Sequence, residues 1–170
     1  MRKTFLIVFF LTILFNVVAY VMLPEVIAIH FGIGGRADSW APKEINFFLF
    51  LGIDILLFLL IWYSPALMMK APAKWVNLPH KSFWLAEENK PLTRQKLESL
   101  MSEFGIAFFA FFLFIFILVL DANLSKPVML KESLFLLGMI IFLAYMVYWS
   151  IKLYSSFRIP KPSKGDESSR

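Results

Sequence analysis

Four apolar stretches divide the chain, and the segments between them are polar and rich in turn residues. They run Phe5–Leu23, Ile45–Tyr63, Phe104–Leu120 and Leu134–Ile151, each 17 to 19 residues long. At 1.5 Å per residue such lengths cover about 26–29 Å, close to a hydrocarbon core of about 30 Å. None alternates apolar and polar residues as a barrel strand of about ten residues would. Helices then satisfy every backbone group in lipid. The pattern predicts an all-α integral membrane protein: a four-helix transmembrane bundle over residues 1–153, with a disordered tail over 154–170. The first stretch follows Arg2 and Lys3 as a signal peptide would. Its run is longer than the usual 7–15 residues and has no A-x-A site, so the spacing predicts a retained helix.

The intervening segments carry their own pattern. Residues 24–44 form a short loop in which Val26–Phe31 reads as an extended piece with Ile27, Ile29 and Phe31 on one face, packed onto the helix ends. Gly32-Ile33-Gly34-Gly35 must turn. Pro42 suits the first turn of the second helix, and Glu44 its positive end. Residues 69–103 are the largest soluble piece, where Pro72 and Pro79 oppose a continuous helix. Pro91 opens a helix in which Leu92, Leu97, Leu100, Met101 and Phe104 share one face, an amphipathic lead-in to the third span.

Composition agrees with the membrane reading. The chain is 59% apolar and 17% charged, with 20 Phe and a mean hydropathy of +0.72. A soluble domain is about 45–50% apolar and about 25% charged. This excludes a soluble enzyme or a disordered chain, and the absence of Cys excludes a disulfide scaffold and a thiol nucleophile. With both termini cytoplasmic, 13 Lys and Arg fall inside and four outside. That asymmetry predicts a multi-pass membrane protein in this orientation. It also accounts for a net charge of +5 without any nucleic acid partner.

Few residues offer chemistry. Asp54 lies at mid-span in the second stretch, where a carboxylate costs about 2.5–3.5 kcal/mol, and Asn16 has similar depth in the first. Two readings stand: an Asn16–Asp54 hydrogen bond that fixes packing, or a transport path lined by Asp54 in a small homo-oligomeric transporter or channel. His30 is flanked by Glu25, Arg36 and Asp38. It offers a base, a pH sensor, a weak divalent site with Glu25 and Asp38, or simply a loop tie. His80 falls on the opposite side, so the two His cannot share a metal. Ser39, His30 and Asp38 have no spacing that makes a nucleophile, base and orienter, and GIGG is no nucleotide fingerprint. No catalytic set, metal centre or cofactor is expected.

The loop after the first span reads Leu23-Pro24-Glu25-x-Ile27-x-x-His30-Phe31-x-x-x-Gly35-x-x-Asp38-x-Trp40-x-x-Lys43. It resembles the extracytoplasmic motif of a small bacterial multispan membrane family of unknown function, related to the immunity proteins against the sporulation-delaying toxin (SdpI-like). A second stretch, Val76-Asn77-Leu78-Pro79-His80-x-x-Phe83-Trp84-Leu85-Ala86, resembles a segment of the same family. Ala28, Gly32 and Ala41 depart from the pattern, which has Pro, Asn or Asp, and Gly there. The resemblance implies a non-enzymatic protein that senses or neutralises an extracytoplasmic peptide or lipid through the His30 loop. Its site would comprise Glu25, His30, Phe31, Gly35, Asp38, Trp40 and Lys43, with Asn77, Pro79, His80 and Trp84 in the inner motif.

Overall fold

The structure, a computed structural model, describes residues 1–159. Part of the expected disordered tail, residues 160–170, lies outside the described residues. Four helices are long and apolar enough to cross a membrane: α1 (Arg2–Met22), α2 (Lys43–Lys70), α4 (Lys90–Leu124) and α5 (Glu132–Ser156). They run alternately up and down. Both α1 and α4 pack closely, α2 lies against both, and α5 packs chiefly on α4. One end of the bundle carries a β-hairpin; the other, here the terminal end, carries residues 71–89, Met1 and the C-terminal end of α5.

Sequence chemistry explains the helix lengths. The 28 residues of α2 run well past Tyr63, through Pro65. Proline cannot donate to the carbonyl four residues back. Here that carbonyl is Ile61 O, and the Ser64 hydroxyl donates to it instead at 2.9 Å. The freed acceptor is thus satisfied inside an apolar helix. The 35 residues of α4 fuse the amphipathic lead-in and the third span into one rod of about 52 Å. Its first third must therefore project beyond a hydrocarbon core of about 30 Å.

Two cores hold the bundle. The membrane core stacks Phe5, Phe9, Ile61 and Phe109, with Phe9 and Phe58 rings 4.1 Å apart. Gly105 admits the Phe5 ring, which a Cβ would meet at 2.5 Å. Small residues let helix backbones approach where no hydrophobic force drives association. The second core lies at the terminal end. Val76, Leu78 and Trp84 from residues 71–89 pack on Leu97 and Leu100 of α4 and on Phe157. A 3₁₀ turn (Ala73–Trp75) and the short α3 (Lys81–Trp84) shape this cap.

Phe157 corrects the expected tail boundary at 154. α5 continues to Ser156, and Phe157 is fully buried. The Trp84 indole donates to Phe157 O at 2.7 Å, and the two rings meet edge to face. An apolar ring with a satisfied carbonyl is worth keeping in the core.

The all-α expectation is also corrected. Residues 24–44 hold a two-stranded antiparallel sheet, β1 (Val26–Phe31) and β2 (Ala37–Pro42). The partner strand, Ala-Asp-Ser-Trp-Ala-Pro, is made mostly of residues depleted in sheets, so propensity gave no signal for it. Pro42 ends β2 and caps α2 rather than sitting in its first turn.

Candidate functional site: the hairpin and the polar positions beneath it

The hairpin turns through Gly32–Arg36, where Gly34 and Gly35 take positive φ of 77° and 72°. Only glycine adopts that region without strain. Gly35 has a second constraint. A Cβ there would strike the Leu130 carbonyl, and Leu130 N donates to Gly35 O at 2.8 Å. The α4–α5 connection is thereby tied under the turn, and Arg36 forms a bridge with Met129.

A second clamp comes from α4. Asn123 Oδ1 accepts from Ala28 N at 2.7 Å, and its Nδ2 donates to Ala28 O at 3.1 Å and to Val119 O at 3.0 Å. One amide thus completes both backbone groups of a fully buried residue. The register shifts at Ala28/His30 and His30/Phe31. Such bulges break strict alternation. Consecutive residues Ile27 and Ala28 are therefore buried, while Ile29 is 46% exposed. The expected face of Ile27, Ile29 and Phe31 is corrected accordingly: Ile27 packs down, Phe31 is half-buried, and Ile29 stays largely exposed.

The motif residues separate into groups. His30 Nδ1 and Asp38 Oδ1 stand 2.6 Å apart on the exposed surface of the hairpin. Gly32 makes room for this pair, since a Cβ there would lie 2.9 Å from Asp38 Oδ2. His30, Phe31 and Gly35 line a cavity of about 320 Å³ with Val119, Phe135 and Leu136. Its walls come from α4 and α5, and Glu132 joins His30 among its polar lining.

Glu25 and Lys43 sit at the hairpin base, where Lys43 N donates to Glu25 O at 2.9 Å. The Lys43 ammonium donates to Leu23 O, the last carbonyl region of α1, and lies 4.9 Å from the Tyr20 ring. That is a helix-terminus tie. Trp40 is half exposed opposite Ala28. Among the described residues, no cluster of three or more His, Asp or Glu side chains could hold a metal, so Glu25 does not join His30 and Asp38 in one.

Within the bundle, Asn16 Nδ2 donates to Asp54 Oδ2 at 2.8 Å. Asp54 is fully buried, and its Oδ1 has no protein partner among the described residues. A small cavity of about 30 Å³ lies toward the hairpin end, lined by Asn16, Tyr20, Lys43 and Asn46. In the terminal cap, Trp84 is core, while Asn77 and His80 are exposed and Pro79 half-buried. His80 takes φ 51°, a left-handed value at the start of α3. The inner motif therefore builds a turn and a core anchor.

Residues 7–53 match the model of a domain of unknown function, DUF1648. The match covers most of α1, the whole hairpin and the first part of α2. Comparison with curated proteins and with solved structures gives no match. The matched segment and the four apolar helices fit a small multispan membrane protein.

Sequence reasoning missed Asn123, Leu130 and Glu132. Asn123 carried a signal, an amide in the last turn of α4 just past the long apolar run. Leu130 carried none, since it contributes only backbone to the Gly35 contact.

Proposed function

We propose that this protein is a non-enzymatic, SdpI-like receptor or immunity protein of the bacterial inner membrane, with both termini cytoplasmic. Its hairpin meets an extracytoplasmic peptide or lipid. The observation that carries the reading is the cavity of about 320 Å³ under the hairpin, with walls from α4 and α5 and with His30 and Glu132 among its lining. Its wall residues Val119, Leu130, Phe135 and Leu136 suit an apolar chain, and its polar residues suit a polar end. The orientation rests on the excess of Lys and Arg at the terminal end.

The test is survival of sensitive cells challenged with the toxin peptide that SdpI-like proteins neutralise, or induction of a linked reporter, with membrane level checked by blot. Wild type should protect or induce. His30→Ala and Leu136→Trp should lose the effect at normal level. Full activity of both variants would make the hairpin a structural cover and end this reading.

A second reading is transport in a small homo-oligomer, favoured by Asp54 Oδ1, which has no partner among the described residues, and by the small cavity of mixed lining that Asn16 borders between α1 and α2. It predicts proton or cation flux into dye-loaded liposomes that Asp54→Asn abolishes. Flux equal to that of empty liposomes would exclude it.

A further inference from the structure

The seam between α4 and α5 changes character along its length. At the terminal end it opens into a cavity of about 400 Å³ lined by Lys96, Ser99, Glu103, Lys152 and Ser156. Farther along it becomes an apolar cleft of about 430 Å³, lined by Ala107, Phe111, Phe114, Gly138 and Ile141 among others. Tyr145 joins the two. It lines the cleft, and its hydroxyl donates to the carbonyl of Glu103 at 3.3 Å.

The charges and dimensions suit one kind of occupant. Lys152 donates to both Glu103 oxygens, at 2.7 and 2.6 Å. Lys96 donates to Ser156 O at 2.9 Å, and its ammonium lies 4.4 Å from the Trp84 ring centroid. An ammonium has three donors. Among the described residues Lys96 has one hydrogen-bond partner, so two donors remain for a ligand. Arg94 pairs with Glu98 outside the cavity lining, so it is not part of the site. The cleft wall on α5, from Leu134 to Tyr145, spans about 16 Å, half of a hydrocarbon core of about 30 Å. No residue of α5 is buried, so the seam opens sideways to lipid.

We propose that this seam binds one anionic glycerophospholipid from the leaflet at the terminal end. Lys96 holds its phosphate, beside the Lys152–Glu103 ion pair that already satisfies both of those groups, and an acyl chain lies along the cleft past Phe111 and Ile141. Basic pockets between transmembrane helices recognise anionic head groups in this way. The proposal is independent of the hairpin reading.

The experiment is native mass spectrometry of the full chain in detergent with equimolar phosphatidylglycerol and phosphatidylcholine. Wild type should retain phosphatidylglycerol preferentially. Lys96→Gln should lower that preference about fivefold, the worth of one interfacial cation. Lys96→Arg should restore it, which separates charge from the packing of Lys96 on Trp84. Arg94→Gln, paired with Glu98 rather than lining the cavity, should leave it unchanged. Ala107→Phe should fill the cleft and reduce retention of both lipids. No preference in wild type, an unchanged preference in Lys96→Gln, or full retention in Ala107→Phe would overturn the proposal. So would thermal stabilisation by inorganic phosphate equal to that by phosphatidylglycerol, since it would mark a site for phosphate alone.

Discussion

Asn123→Ala should loosen the hairpin from the bundle more than any exposed change within it. The substitution removes an acceptor 2.7 Å from Ala28 N and a donor 3.1 Å from Ala28 O. Ala28 is fully buried, so both backbone groups lose their partners in one step. Each orphaned group costs about 1–3 kcal/mol, giving about 2–6 kcal/mol for the pair. Water reaching the hairpin end would favour the lower figure. About 2 kcal/mol corresponds to roughly a thirtyfold rise in the open population. Hydrogen exchange reads this directly: hydrogen-bonded amides within Val26–Ala41 should exchange about thirtyfold faster, while those in the middle of α4 stay protected. The chain has no Cys, so a single spin label at Trp40→Cys gives an independent measure of hairpin mobility. Unchanged exchange and unchanged label mobility in Asn123→Ala would refute the clamp.

Three further outcomes are expected. Gly35→Ala should lower the melting temperature well below that of Gly34→Ala, because both sites have positive φ but only Gly35 faces the Leu130 carbonyl; equal melting would refute that contact. Asp54→Asn should preserve Asn16 pairing within about 1 kcal/mol, while Asp54→Lys should prevent a folded monomer in detergent, as seen by gel filtration. For topology, an impermeant maleimide applied to whole cells should label Trp40→Cys and Ser125→Cys but not Ser82→Cys, and the reverse pattern would invert the proposed orientation.

The membrane class and all four spanning helices were legible in the sequence because long uninterrupted apolar runs have few other uses. The Asn16–Asp54 contact was legible from depth alone: an amide and a carboxyl at similar height on antiparallel neighbours have little else to meet. The helix ends were not. α2 continues through Pro65 only because Ser64 satisfies Ile61 O, a local repair that hydropathy does not register. The sheet was half legible. β1 is rich in β-branched residues, whereas β2 is held by pairing and by the geometry of the turn. Burial within β1 depends on bulges, and bulges depend on what the backbone meets across the gap, here Asn123 about 95 residues away. A contact made by backbone alone, such as Gly35 with Leu130, leaves a trace at only one of its partners, the glycine.

These differences in support make the surface pair the informative place to test recognition. The His30 and Asp38 side chains are 68% and 51% exposed, and an exposed pair of this kind contributes at most about 1 kcal/mol. Neither side chain supports the clamps at Ala28 and Gly35. His30→Ala and Asp38→Ala should therefore leave melting and membrane level close to wild type. Asn123→Ala, by contrast, should disturb the same surface by releasing its foundation. If the hairpin recognises a ligand, the two surface variants lose protection or induction with the fold intact, whereas Asn123→Ala loses both together. A melting loss in His30→Ala as large as that in Asn123→Ala would show that the pair is structural, and its loss of activity would then say nothing about binding.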